Sequence, residues 1–353
     1  MITTIDELKE GEAFYPEFKG TGGWHTHKII ALDRDKMDIP FTKPTIGREE
    51  IEAVTKVMKG ELKDQTKQFE QEFAKYVGVK YAIFTNSCTS ALKMSYKWLK
   101  ENSDTAYLYY PDNTFCATYA AGVEMGWKMY PYSSTTGYSE GKTPHYDNRV
   151  NVHYGSVKDE RPCLIEDSAH RIEPNDPLVG KIRCYSFHAT KNMTCNPSGG
   201  GANGGMFVTN NKEIYEYARL LWNDGTTRDT DGWDYKVKVM AGGYDGNELL
   251  AAIGRVQLKK LPRFNKKRQQ IVSLYNEAFN TDWKGNHLYP YMLTTTHEVK
   301  PFIEYMEDNG IQCAYHYPGT GWTGVSLPLY PSLTKKQIEY IIEKVNSYTL
   351  RSR

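Results

Sequence analysis

Short apolar runs alternate with helix-patterned stretches from about residue 39 to residue 210, and this alternation limits the possible folds more than any other feature of the chain. Ile46, Ile51, Val54 and Met58 recur at helical spacing after a Pro-rich entry, with acids in the first turn. Phe69, Phe73 and Val77 do the same on a second helix over about residues 66–77. Further helices are expected at about 88–100 and after Phe115, and the segments KYAIFT, TAYLYY, WKMYPY, VNVH, CLIED, RCYSF and GMFVTN read as strands between them. Apolar periodicity near 3.6 marks a helix, and short apolar runs bounded by polar turns mark buried strands. Strands alternating with helices build parallel βαβ units, so the expected class is α/β, with a mostly parallel sheet covered on both faces.

The character changes after DGTTRDTDGWDY. A long helical stretch runs from about Asn247 into the 270s, interrupted by Pro262. It leads into a strand (HLYPYML), a helix (HEVKPFIEYMEDNG), a strand (IQCAYHY) and a terminal helix (TKKQIEYIIEKVN). The expected organisation is an N-terminal extension over residues 1–38, a large α/β domain over 39–245 and a smaller C-terminal α+β domain over 246–353.

Charge and cysteine usage remove several functions. The 44 basic and 43 acidic residues leave a net charge of +1, and no Lys/Arg block offers a footprint for nucleic acid. No apolar run approaches the roughly 20 residues that a bilayer span needs. The opening MITTIDELKEGEAF carries acids where a signal peptide has a basic region, so the cytoplasm is the expected location. Cys88, Cys116, Cys163, Cys184, Cys195 and Cys313 form no C-x-x-C pair, which points to reduced thiols rather than a disulfide framework or a thiolate metal site. His25 and His27 in GGWHTHK lack a carboxylate or thiol nearby, and no metal is expected. The 27 tyrosines in an otherwise lean apolar stock suggest amphipathic rings packed at a subunit interface.

Three segments carry chemistry. In CLIEDSAH, Glu166 and Asp167 fall near the carboxyl end of a buried parallel strand, outside which ligands of open α/β sheets bind. A buried acid there needs a cation, a need that a structural ion pair or an N-cap meets as well as a ligand does. In CYSFHATKN a short strand runs into a polar turn with Ser186, His188 and Lys191; a loop lysine is ordinarily solvated. In TNSCTSAL a strand gives way to small hydroxyl residues that open a helix, the arrangement that presents backbone N–H groups and a helix dipole to a phosphate, or a plain Ser/Thr cap. A phosphate cradle, a buried acid and a loop lysine at one sheet edge suit pyridoxal phosphate (PLP).

With these residues in view, the chain resembles the DegT/DnrJ/EryC1/StrS family, fold-type I PLP-dependent aminotransferases that act on nucleotide-linked keto sugars. The likeness runs in order through IPFTKPTIGREEI, TKQFEQEFAKYVGVKYA, NSCTSAL, PDNTFCAT, VHYG, IEDSAH, SFHATKN, GGMFVTN, ELLAAIGRVQLKKL, GIQCAYHYP and LPLYPSLT. It implies that Lys191 forms the Schiff base with the cofactor and shuttles the proton, and that Asp167 pairs with the pyridinium nitrogen. It also implies that Phe115 stacks on the ring, that His170 lies near the phenolic oxygen, and that Cys88, Thr89, Ser90 and Ser186 hold the phosphate. Plain packing for Phe115 and a structural role for His170 remain open, and His188 receives no chemical role. The implied substrates are a nucleotide-linked deoxysugar ketone and an amino donor, L-glutamate, and the implied assembly is a homodimer. A sugar dehydratase of the same family commonly replaces the lysine with His, whereas this chain keeps Lys191; a non-catalytic binding subunit is the remaining alternative.

Departures from the family pattern are equally specific. Its Asn and Arg ahead of the ELxAA helix correspond to Gly243 and Asp245, for which Arg228 or Lys236 are substitutes by charge alone. After Lys191 a Gly-rich loop, NMTCNPSGGGANGG, puts Asn203 where a Glu is expected, as a lid or as a neutral insertion. Only SVKDERPC separates VHYG from LIEDSAH, so the helix between those strands is expected to be missing.

Overall fold

The protein is described by a computed structural model over residues 37–132, 148–154, 158–228, 234–317 and 322–351. His25 and His27 lie outside the described residues.

Two helices open the described chain, α1 (Arg48–Met58) and α2 (Gln65–Val77). Then β1 (Tyr81–Thr85), α3 (Cys88–Glu101), β2 (Tyr107–Pro111), α4 (Ala117–Glu124) and β3 (Lys128–Tyr132) alternate. Four strands follow: β4 (Val150–Tyr154), β5 (Ile165–His170), β6 (Ile182–Ser186) and β7 (Gly205–Thr209). The last leads into α5 (Lys212–Trp222). The sheet runs in the order β1-β7-β6-β5-β4. A parallel bridge between Tyr109 and Arg149 continues it to the parallel pair β2-β3. Only β7 opposes its neighbours. All the other strands therefore end at one edge, which is where a ligand site of this architecture belongs.

Both faces of the sheet are buried, and the alternation along each strand shows how. Ile83 of β1 and Ile182 and Cys184 of β6 join Leu92, Met94 and Ile214 of α3 and α5. Ala82, Phe84 and Tyr185 join Phe69 and Phe73 of α2 and Leu258 and Leu261 of a later helix on the opposite face. Tyr185 is 1 % exposed and packs edge-on against Phe73, so this tyrosine is part of the core of one chain and not of a subunit seam. No helix joins β4 to β5 among the described residues.

A hairpin, β8 (Thr226–Arg228) and β9 (Tyr235–Val237), precedes α6 (Glu248–Phe279). The latter is one 32-residue helix that passes through Pro262 without a break, in contrast to the interruption expected there. Pro lacks an N–H and strains the preceding turn. Here Leu258, Leu261, Phe264 and Asn265 are buried on both sides of it, and that packing holds the helix together. The C-terminal portion adds β10 (Tyr289–Met292), α7 (Val299–Asp308), β11 (Ala314–Tyr315), β12 (Gly324–Leu327) and α8 (Lys335–Arg351). The unanticipated β12 is the middle strand of its sheet, β10-β12-β11. Ile39 bridges Ile311 and is buried in the same core as Val325 and Leu327. None of the described helices is long and apolar enough to cross a membrane.

Candidate active site

The turn from β1 into α3 is built around Asn86 and Ser87. Ser87 Oγ accepts the Ser90 N–H at 3.1 Å, the usual N-cap bond, and Ser90 Oγ donates to Asn86 Oδ1 at 2.5 Å. The Ser90 hydroxyl is therefore turned back into the turn, which leaves Cys88 and Thr89, both half-buried, as the first residues of α3. A 14-residue helix carries partial positive charge at that end. Register places Thr85, Gly205 and Ser186 in one row across β1, β7 and β6. Gly205 is required there, because a Cβ would come within 2.4 Å of the Cys88 nitrogen. Ser186 Oγ accepts the His188 N–H at 3.4 Å and keeps its own proton to donate.

The two acids of β5 lie within the strand and, as neighbours, point to opposite faces. Glu166 is fully buried and receives His153 Nε2 at 2.7 Å, Arg183 Nε at 2.9 Å, and the N–H groups of Val179 and Gly180 at 2.9 Å each. Burial pushes its pKa up, but the His153 hydrogen bond and the Arg183 charge together outweigh burial and hold it below the usual carboxylate range. Arg183 also pairs with Asp176 at 2.9 Å. Glu166 is thus fully satisfied inside the protein.

Asp167 is 5 % exposed and differs in kind. Thr118 Oγ1 donates to Oδ2 at 2.8 Å, and the Ala169 N–H to Oδ1 at 3.0 Å. Both donors are neutral, and no salt bridge reaches Asp167 among the described residues. Burial raises its pKa, only partly offset by these bonds and by the more distant charge of Lys191. Thr118 follows Phe115 by three residues at the start of α4, so one helix turn delivers both to the site. The acid is held in place and has no cation hydrogen-bonded to it among the described residues.

Lys191 sits in the turn after β6, its N–H bonded to the His188 carbonyl at 2.9 Å. Burial pulls its pKa from the ordinary 10.5 down to about 8, against the opposing pull of Asp167. A fraction of the amine is therefore neutral near physiological pH. His188 is occupied by Thr190 Oγ1 at 2.9 Å and the Gly199 carbonyl at 3.2 Å, and it orders the loop. The Gly-rich segment is knit by Asn196, whose Nδ2 donates to the Gly200 and Ala202 carbonyls at 2.7 and 2.9 Å. Asn203 Nδ2 donates to Gly201, and the Asn203 and Gly204 N–H groups both reach the Asn86 carbonyl. The loop closes onto the cradle turn.

Phe115 is 58 % exposed, an open aromatic face whose ring centroid lies 6.2 Å from Tyr317. His170 is 5 % exposed and contacts the Tyr317 hydroxyl at 3.3 Å. Its ring lies 4.7 Å from His287 and 6.4 Å from His316. Burial, aided by Lys191, pushes His170 and His287 well below the usual histidine range and His316 to about 4. The three imidazoles stay neutral and add no charge beside the lysine. His287, His316 and Thr118 are site residues that sequence reasoning missed; only the i+3 spacing of Thr118 from Phe115 pointed to any of them.

Asn86 Nδ2 donates to the Gly243 carbonyl at 2.7 Å, and Asp245 bridges Thr85, so this departure from the family pattern lies against the cradle turn. Asp245 is exposed. Arg228 and Lys236 sit on the β8-β9 hairpin, where Arg228 pairs with Tyr235 and Lys236 with Thr227.

Comparison with known proteins bears on the family and the fold. The model of the DegT/DnrJ/EryC1/StrS aminotransferase family matches residues 44–132 and 163–346. The spore coat polysaccharide biosynthesis protein SpsC of Bacillus subtilis is 30 % identical over 280 residues, covering 68 % of this chain and 69 % of that protein. Among solved structures, Helicobacter pylori PseC, an aminotransferase of pseudoaminic acid biosynthesis, superposes with a TM-score of 0.78 at 22 % identity, covering 88 % of this chain and 99 % of its own. The aminotransferase TlmJ of Streptoalloteichus hindustanus gives 0.75 at 21 % identity, over 90 % and 100 % of the two chains.

Proposed function

The chain belongs to the DegT/DnrJ/EryC1/StrS aminotransferase family, and from that membership and its site we propose that it is a PLP-dependent enzyme moving an amino group from L-glutamate to the keto group of a nucleotide-linked deoxysugar. One observation carries the reading. Asp167, buried with neutral partners only, faces the same site as a lysine whose pKa has fallen to about 8. An acid waiting for a cationic nitrogen and an amine ready to act as a base are what the cofactor's ring and the reacting carbon require.

The residues fit PLP. Thr89, Cys88 and the open end of α3, with Ser186 alongside, form an anion cradle, and Phe115 offers an uncovered aromatic face. Asp167 holds a proton on the ring nitrogen, with Thr118 fixing the carboxylate plane. Lys191 is the covalent attachment point, and its Nζ carries the proton from the donor's α-carbon and later to the sugar carbon. His170, kept neutral by burial, contacts the Tyr317 hydroxyl and would hold it toward a bound cofactor. PLP, when bound, supplies the electron sink that stabilises the carbanion left by proton loss. Ser90 acts through the turn, since its hydroxyl is engaged by Asn86.

We place the enzyme in the cytoplasm as a homodimer. Phe115, Tyr119 and Val123 are exposed apolar residues on and just before α4, and their exposure supports a second copy of the chain covering them. Incubating the protein with PLP, glutamate and a panel of nucleotide-linked keto sugars, with mass detection of the aminated sugar, tests the reaction. Formation of product from one sugar supports it, and absence of any amination across the panel contradicts it.

A further inference from the structure

Arg268, on α6, is 6 % exposed, and its Nε and Nη1 have no hydrogen-bond partner. No carboxylate pairs with it among the described residues; burial acts on the charged guanidinium with nothing to offset it. A buried ion left alone costs several kcal/mol. A compensating negative charge must therefore come from outside the described residues.

The guanidinium lines a small cleft with Lys43, Thr45, Lys191 and Asn192. Two more buried polar atoms without partners belong to the same residues, Thr45 Oγ1 and Asn192 Oδ1. Asn192 Nδ2 is engaged by Asn265 Oδ1 and Asn286 Oδ1 at 3.4 and 3.3 Å, so its oxygen alone is left over. Gln257 fixes this geometry by donating to the Thr45 carbonyl at 2.8 Å. The cleft has about 10 Å³ of free room, enough for about one water-sized oxygen. A phosphate is too large for it, and a single carboxylate oxygen fits.

We infer that this cleft seats a carboxylate oxygen of the amino donor, bound by Arg268 and the Thr45 hydroxyl, and that it thereby selects amino acids over simple amines. The inference rests on the aminotransferase reading, in which the donor must bring its α-carbon to Lys191, itself a lining residue of the cleft. Asn192 Oδ1 accepts a hydrogen from the donor's ammonium or its hydrating water.

The test titrates the PLP-loaded protein calorimetrically with glutarate, succinate and acetate, and measures KM for glutamate and for the keto sugar. Arg268→Gln is expected to weaken carboxylate binding and raise the donor KM by about 10–100-fold, the worth of a hydrogen bond to a charged group. Arg268→Lys should recover part of the loss, and the keto-sugar KM should stay unchanged. Thr45→Val provides a second handle with a smaller loss in the same direction, should Arg268→Gln fail to fold. Equal carboxylate affinity in the unaltered and Thr45→Val or Arg268 variants overturns the inference, as does the absence of any carboxylate binding, which would leave water as the occupant. The choice of glutamate fails separately: acetate or succinate then binds in an Arg268-dependent way while glutarate does not.

Discussion

Glu166 and Asp167 are adjacent, buried carboxylates on one strand, and the molecule treats them in opposite ways. Glu166 faces Arg183, His153 and two backbone N–H groups, so its charge is cancelled within the fold. Asp167, on the other face, meets a hydroxyl and one N–H. A buried ion is tolerable only when paired, so one acid explains itself by structure and the other by a ligand. Sequence position does not separate them; the pairing does.

The sharpest way to break this contrast is to neutralise each acid in turn. Asp167→Asn should lower kcat/KM by about 10²-fold or more, the scale of losing a buried charge partner, with a melting temperature that does not fall and rises if anything, since the buried charge opposes folding. Steady-state kinetics beside thermal unfolding reads both. Glu166→Gln should do the reverse. It leaves Arg183 without its main counter-charge and costs about 3–5 kcal/mol of stability, while activity per folded molecule stays within a few-fold. If both variants unfold alike, or both lose activity alike, the distinction between the two acids is wrong.

Acid titration sharpens the comparison. Glu166 has a folded pKa below its unfolded value of about 4.5, so its stabilisation is complete above that value and is lost as pH falls through the folded pKa. Asp167 is shifted upward, so it opposes folding above its unfolded value, and that cost fades as pH falls. Chemical denaturation at stepped acidic pH should show Glu166→Gln removing part of the acid-induced loss of stability, and Asp167→Asn not doing so. A smaller effect concerns the cradle. Ser87→Ala removes the N-cap bond of α3 and should cost about 1 kcal/mol, measurable by urea unfolding, with weaker PLP retention on dialysis.

Much of this was legible in the sequence where letters act locally. The run YAIFT alternates residues between two cores, and NSCTS spells a helix start whether it caps or cradles. The helix α5 was equally legible, since Ile214, Ala218 and Leu221 form a well-defined apolar stripe, yet it went unread. The central strand β12 is four residues, GVSL, beside two prolines, too short to carry a period. Pro262 suggested a break that tertiary packing overrides. Neither the gathering of His170, His287 and His316 nor the isolation of Arg268 could be read at all, since each joins segments more than a hundred residues apart or depends on what is missing around a side chain.

The central claim is that Lys191 carries the cofactor while Asp167 serves its ring. Purified protein should acquire a visible absorption band with PLP, and borohydride reduction should fix the cofactor to the peptide that contains Lys191. Lys191→Ala should show neither the band nor the labelled peptide while unfolding at the same temperature. A variant that still becomes labelled, or an unaltered protein that never binds PLP, would contradict the account.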